Sequence, residues 1–362
     1  MAFLVFDLER GDDPVGALTG DFVFVGDVGR PDLLEKAAGA KGSMEASARQ
    51  LFRSIERFAR LPGYLQIWPG HGAGSACGKA LGSMPQSTLG YEKLFNWAFA
   101  ETSESAFVEK VLVDQPIPPS YFAEMKRANR GGTERRAAQA GQLLGLAEME
   151  SASRAEATIV DTRAAPKFAA GHIPGTINIP LSKSFLNWSG ALVSYDRDFY
   201  IVTDRDRDED IAEILNELCK IGLTRVSGIF PASVVRDWKS RHGELEQVSQ
   251  LSPRELTRMR AEKGVQVVDV RNPDEWRQGH LPGAIHVPLA ALPARLGELD
   301  VSAPIVLHCK GGGRSSIAAS FLQSRGISNV SNLAGGFEAW VADGLGVEAD
   351  KPANRRRARK KG

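Results

Sequence analysis

A 22-residue segment occurs twice in this chain, and that duplication constrains the fold more than any other feature. Val160–Leu181 (VDTRAAPKFAAGHIPGTINIPL) lies on Val268–Leu289 (VDVRNPDEWRQGHLPGAIHVPL) without a gap and with ten identities. The copies begin 108 residues apart, at 160 and 268, well beyond the roughly 20–50-residue period of solenoids and propellers, so the pattern predicts a duplicated domain. The 362 residues leave room for a third domain ahead of the pair.

Each copy alternates short apolar runs with helical patterns, which predicts an α/β fold with parallel sheets flanked by helices. In the second copy strands are expected at 265–270, 285–287, 304–308 and 330–333, with helices over 272–278 and 315–325. The longer helix places Ile317, Ala318, Phe321 and Leu322 on one side. Paired glycines in AGGFEAW, Ala334–Trp340, end the last strand and open a final helix. The first copy repeats the order at 158–160, 200–202, 211–221 and 225–229. These signals divide the chain into an N-terminal segment, 1–130, a linker, 131–150, and copies at 151–245 and 252–346 separated by a short polar connector. A basic tail at 347–362 is expected to be solvated.

One cysteine stands out by its surroundings. In IVLHCKGGGRSSIAA, Ile305–Ala319, a strand pattern stops at Cys309, and Lys310-Gly311-Gly312-Gly313-Arg314 leads into a helix near Ser315. The carboxyl edge of a parallel sheet is where open α/β folds bind ligands. Glycines tolerate the positive φ that a tight curl around the sulfur demands. Successive N–H groups from Lys310 to Ser315, with the positive end of the helix, would form an anion-binding nest that favours a thiolate. Lys310 and Arg314 add positive charge. A lone Cys after an apolar strand is more often a core residue, but the glycine cradle and basic flanks favour a nucleophile here.

CKGGGRS resembles the CxxGxRS active-site loop of the rhodanese sulfurtransferases. VVDVRNPDEWRQGHLPGAIHVPL upstream and LAGGFEAW downstream resemble that family's flanking motifs in the same order, so the likeness covers 265–340. It implies that Cys309 takes the sulfane sulfur of thiosulfate or a persulfide and passes it to a thiol or to sulfite by ping-pong covalent catalysis. The loop N–H groups would hold the persulfide anion, and Arg314 and Lys310 would attract the anionic donor. Asp269 and Arg271 are expected to brace the strand end, and His280, His286 and His308 to be packed or hydrogen-bonded. Related folds with phosphatase or arsenate reductase activity carry a longer loop, CxxxxxR, around a tetrahedral oxyanion. Arg314 stands five positions after Cys309, a loop sized for one sulfur. The alternative within the sulfur reading is a carrier or scaffold that accepts a persulfide without turnover.

In the first copy the strand FYIVTD runs into RDRDED, and the position matching Cys309 falls on Asp204 or Arg205. With no cysteine, no glycine and three aspartates, Asp204, Asp206 and Asp208, this loop is read as catalytically silent. Cys219, within the following helix, is expected to pack in the core.

The N-terminal segment carries LTGDFVFVGDVGRPDL at 18–33, WPGHGAGSACGKALG at 68–82 and PPSYFAEMKRANRGG at 118–132. These resemble the C-terminal half of the metallo-β-lactamase αββα sandwich found in persulfide dioxygenases fused to rhodanese domains. The resemblance implies Fe(II) ligation by the carboxylate of TGD, here Asp21, with two imidazoles. The family's HxHxDH motif would precede Asp21, and no histidine does so here. His71 is weighed as a further ligand and Cys77 as structural, and the site is expected to be incomplete. The sequence thus reads as truncated at its start, without dioxygenase activity and with apolar surface exposed where a second sheet would pack.

With 45 basic and 44 acidic side chains, no global field argues for nucleic acid or a membrane surface. The expected partners are thiosulfate, glutathione persulfide and other low-molecular-weight thiols, with self-association left open. The sulfurtransferase itself needs no cofactor. Three separated cysteines with no CxxC pair point to a reducing compartment. The N-terminus has no basic lead-in to its apolar run, and no run approaches the roughly 20 residues of a membrane span. Cytoplasmic location and a role in sulfide detoxification are the resulting expectations.

Overall fold

The computed structural model describes residues 1–33, 35, 42–70, 84–113, 115, 118, 121–131, 143–261 and 264–349. The chain divides into two compact units, Met1–Arg130 and Gly131–Gly362. No helix among the described residues is long and apolar enough to cross a membrane. His71, Cys77, most of the expected linker and the end of the basic tail lie outside the described residues.

In the first unit, β1 (Phe3–Phe6), β2 (Pro14–Gly20), β5 (Gln66–Pro69) and β6 (Ser87–Thr88) form one sheet in the order β1-β2-β5-β6. The β1–β2 and β5–β6 pairs are antiparallel and β2–β5 is parallel. A small hairpin, β3 (Val23–Phe24) and β4 (Asp27–Val28), follows β2. The helices are α1 (Ser43–Phe58), α2 (Leu89–Phe95), α3 (Trp97–Ala100), α4 (Glu104–Leu112) and α5 (Phe122–Gly131). Helix α1 buries Ala48, Phe52, Ile55 and Phe58, residues three or four apart and so on one face. Phe52 meets Phe107 of α4, on which Trp97 stacks. The sheet's inner face, Ala17 and Ile67, packs with Phe58, Leu65 and Leu89. Its outer face carries the cross-strand pair Phe3 and Leu18, both exposed, and Trp68, whose ring lies where a Cβ on Gly16 would stand. The exposed apolar surface expected for this segment is therefore present on this face.

The second unit holds both copies. In the first, α6 (Leu146–Arg154) begins within the stretch read as linker. Strands β7 (Thr158–Asp161), β8 (Ile177–Asn178), β9 (Phe199–Thr203) and β10 (Val226–Pro231) form an all-parallel sheet in the order β10-β9-β7-β8. They alternate with α7 (Ala165–Ala170), α8 (Phe185–Leu192), α9 (Asp208–Lys220) and α10 (Ser233–His242). In the second copy β11 (Ser249–Leu251), β12 (Gln266–Asp269), β13 (Ile285–His286), β14 (Ile305–His308) and β15 (Val330–Leu333) form a parallel sheet in the order β11-β15-β14-β12-β13. The helices are α11 (Pro253–Ala261), α12 (Pro273–Gln278), α13 (Leu292–Arg295), α14 (Gly313–Gln323) and α15 (Gly336–Ala342). β14 is buried at all four residues, as its unbroken apolar run requires of a central parallel strand.

Helix α14 departs from the one-sided pattern expected of it. Every residue from Ser315 to Gln323 is buried, because its far side packs on the first copy and the connector: the Asn178 N–H donates to Ser320 Oγ at 2.9 Å, and Gln323 Nε2 donates to the Gln247 carbonyl of the connector at 2.8 Å. The connector also differs from the sequence expectation, since it supplies the edge strand β11, which pairs with β15.

Candidate active site

Strand β14 delivers the chain to Cys309, which is 2 % exposed. The backbone then turns at Gly312, whose φ of 96° is open to glycine and strained for other residues. The Gly312 N–H donates to Cys309 Sγ at 3.1 Å, and the Ser315 hydroxyl lies 3.4 Å from the same sulfur. That hydroxyl also lies 3.1 Å from the Gly312 carbonyl, so its single proton is shared between them. The expected curl is thus made by one left-handed glycine. Gly311 and Gly313 have no such φ, and α14 opens at Gly313, two residues earlier than its apolar pattern suggests, so Arg314 and Ser315 stand in its first turn.

A second turn clamps the loop from behind. At the start of α15 the Phe337 N–H donates to the Cys309 carbonyl at 2.7 Å and the Glu338 N–H to the Lys310 carbonyl at 3.0 Å. This approach explains the paired glycines: a Cβ on Gly336 would sit 2.4 Å from the Cys309 oxygen, and one on Gly335 2.6 Å from Ala339 Cβ. Helix N-terminal N–H groups lack partners within their helix, and here they fix the loop carbonyls.

Neither cation of the loop is free. Arg314 donates through both terminal nitrogens to Glu275 of α12, at 2.6 and 2.7 Å. Burial opposes its charge, yet Glu275, and after it the Cys309 sulfur, raise the guanidinium above its ordinary value. Lys310 Nζ lies 3.6 Å from Glu338, with both side chains exposed.

Asp269 and Arg271 form a buried brace beside the site. The Arg271 N–H and Nε both reach Asp269 carboxylate oxygens at 2.9–3.0 Å, and Nη2 reaches the Gly279 carbonyl at 2.7 Å. His280 stacks on Trp276 at 3.6 Å and bonds its carbonyl through Nδ1, while His286 Nε2 meets the Arg271 carbonyl at 2.9 Å. The first copy repeats this brace with Asp161, Arg163 and Gly171, and His172 stacks on Phe168.

Strand register corrects the alignment of the silent loop. Asp161 pairs with Val202 as Asp269 pairs with His308, so the residue matching Cys309 is Thr203, not Asp204 or Arg205. Thr203 is fully buried, and its Oγ1 accepts the Arg205 N–H at 3.1 Å. Cys219 is exposed on α9, not packed in the core, because the buried face of that helix is Ile211, Ile214, Leu215 and Leu218.

Asp21 follows β2 and is exposed, next to Gly70. Among the described residues no three His, Cys, Asp or Glu side chains gather to hold a metal. The described residues therefore do not supply a ligand set for an Fe(II) ion.

A sequence profile of the rhodanese-like domain matches residues 145–228 and 252–343. The chain is 38 % identical over 85 residues to a sulfurtransferase of Allochromatium vinosum, covering 24 % of this chain and 79 % of that protein. It is 35 % identical over 96 residues to the thiosulfate sulfurtransferase GlpE of Pseudomonas entomophila, covering 26 % of this chain and 87 % of that one. It is also similar to a crystal structure of a metallo-beta-lactamase from Staphylococcus aureus, with 42 % identity and a TM-score of 0.54 over 64 % of this chain. The match spans 63 % of that chain's length. Two rhodanese-like domains in an α/β chain with a metallo-β-lactamase neighbour agree with the motifs on either side of residue 131, and the chain belongs to the rhodanese family.

Proposed function

We propose that this protein is a sulfurtransferase whose Cys309 takes sulfane sulfur from thiosulfate or a persulfide and passes it to a thiol or to sulfite. The Cys309 thiolate attacks the terminal sulfur of the donor and a new S–S bond forms. The donor's own S–S bond breaks, and its electron pair leaves on sulfite or on a thiolate. Cys309 then carries the second sulfur until an acceptor thiolate or sulfite attacks it and the cysteine thiolate is regenerated. The observation that supports this best is the sulfur's setting: Sγ receives the Gly312 N–H and faces the Ser315 hydroxyl at the first turn of α14, where added negative charge is favoured. Asp269 and Arg271 act as structural support, and sulfide detoxification is the setting in which we place the reaction.

Thiosulfate should add roughly 32 Da, one sulfur, to Cys309, and thiosulfate with cyanide should yield thiocyanate over many cycles. Cys309→Ser should lose turnover on the order of 10³-fold or more. Normal turnover in that variant would refute the assignment, whereas sulfur loading without turnover in the unaltered protein would mark a carrier.

A further inference from the structure

The sequence makes Arg314 and Lys310 look like bait for an anionic donor, but the structure gives each a carboxylate. Glu275 grips Arg314 with both of its oxygens, and its Oε2 also accepts the Asn272 N–H at 3.1 Å. It is therefore fixed from two sides, and Arg314 is fixed with it. Arg271, the next cation, is committed to Asp269 and to the Gly279 carbonyl. At the rim Glu338 faces Lys310. Formal charge over Arg314, Glu275, Lys310 and Glu338 thus cancels, which leaves the charge of a Cys309 thiolate uncompensated by side chains.

We propose that Glu275 is a specificity-determining residue that, by neutralising Arg314, steers Cys309 toward singly charged persulfide donors and away from dianionic thiosulfate. The proposal rests on Cys309 being the sulfur-accepting nucleophile. Both donors transfer the same atom: a persulfide anion R–S–S⁻ gives up its outer sulfur and leaves as RS⁻, and thiosulfate gives up its outer sulfur and leaves as sulfite, in each case with the electron pair of the broken S–S bond. They differ in the charge brought against a thiolate. A dianion meets twice the repulsion of a monoanion, and a carboxylate beside the site adds to it in the same proportion. Glu275 also closes the capping box of α12 through the Asn272 N–H, a contact that needs only an oxygen, whereas neutralising Arg314 needs the charge, so the two roles separate by substitution.

The test compares thiosulfate with a persulfide bearing an uncharged alkyl tail. Glu275→Gln keeps an oxygen for the Asn272 N–H and removes the charge. The ratio of kcat/KM for thiosulfate to that for the persulfide should rise by about tenfold. The thiosulfate reaction, which salt should accelerate in the unaltered protein by screening the thiolate's repulsion of the dianion, should lose that dependence once Arg314 is unneutralised and offsets the thiolate. A merely structural Glu275 would slow both donors alike and leave ratio and salt response unchanged, and that result overturns the proposal. Glu338→Gln, at the exposed rim, should shift the ratio in the same direction by about twofold. If Glu275→Gln does not fold, an unchanged ratio in Glu338→Gln overturns the proposal alone. If the unaltered protein takes sulfur from neither donor, the sulfurtransferase assignment falls, and this proposal with it.

Discussion

His308 lies directly beneath the reactive loop with no strong partner for either ring nitrogen. Nδ1 is 3.5 Å from the Cys309 carbonyl and Nε2 3.6 Å from Asp269 Oδ2. Burial pushes its pKa down to about 4; the Asp269 charge opposes the shift and Arg271 adds to it. The folded protein therefore keeps a neutral imidazole while the unfolded chain titrates near its ordinary value of about 6.5. Between those values the unfolded state binds a proton that the fold does not. Stability is thus complete above pH 6.5 and falls as pH drops toward 4, by roughly 3 kcal/mol from this residue. Denaturant unfolding at pH 7 and at pH 4.5 should show the loss, and His308→Leu should flatten it; an unchanged slope would assign it elsewhere. Glu275 acts in a lower window. Burial raises its carboxyl pKa, but the Arg314 and Asn272 hydrogen bonds outweigh that and lower it, so its contribution is lost only as pH falls below the usual carboxylate range. At this scale Cys309 was legible because its neighbours are unusual residue types. The Glu275–Arg314 pair was not, since its members stand 39 residues apart and nothing in either segment marks the other.

The loop between β14 and α14 shows which glycines matter. Gly312 has the left-handed φ and lends its N–H to the sulfur, whereas Gly313 is helical and a Cβ there would meet open space. Gly312→Ala should cost more than about 1 kcal/mol and impair sulfur transfer, while Gly313→Ala should stabilise by about 0.4–1 kcal/mol and leave transfer intact. Thermal melts paired with the thiocyanate assay separate the two; equal effects would contradict the geometry. Sequence alone shows three consecutive glycines and cannot rank them, because φ is set by where the chain must go next. The same limit explains α14. Its apolar residues Ile317, Ala318, Phe321 and Leu322 trace one face, but Ser316, Ser320 and Gln323 are also buried, and their polarity hides a second packed side. The edge strand β11 was missed because Ser249-Gln250-Leu251 carries little apolar signal and gains its order by pairing with β15.

Across the whole second unit, duplication was the most legible feature and the packing of its halves the least. The repeat carries the Asp–Arg pair into both copies; the sequence points to a brace at Asp269 and Arg271 alone, and the structure adds Asp161 and Arg163 with closely matching geometry. Register between copies was lost at the loops, whose lengths differ: α14 starts four residues after Cys309, but α9 starts five after Thr203. The contact between copies depends on a polar pair that no periodicity reveals. Ser320 Oγ accepts the buried Asn178 N–H and donates to the Ile317 carbonyl. Ser320→Ala would leave that N–H without a partner and should cost about 1–3 kcal/mol. Ser324→Ala, where the hydroxyl bonds only within its own turn, should stay within about 0.5 kcal/mol. Calorimetry on the two variants tests this, and equal melting temperatures would mean the copies adhere by apolar contact alone. Thr203 gives the duplication a further meaning. An oxygen there takes a loop N–H much as the sulfur of Cys309 does, beside an equivalent brace at the end of the equivalent strand, yet an alcohol hardly ionises at neutral pH. The molecule carries its own internal blank, and any difference in reactivity between its twin halves is owed to one side chain and the loop around it, not to the architecture they share.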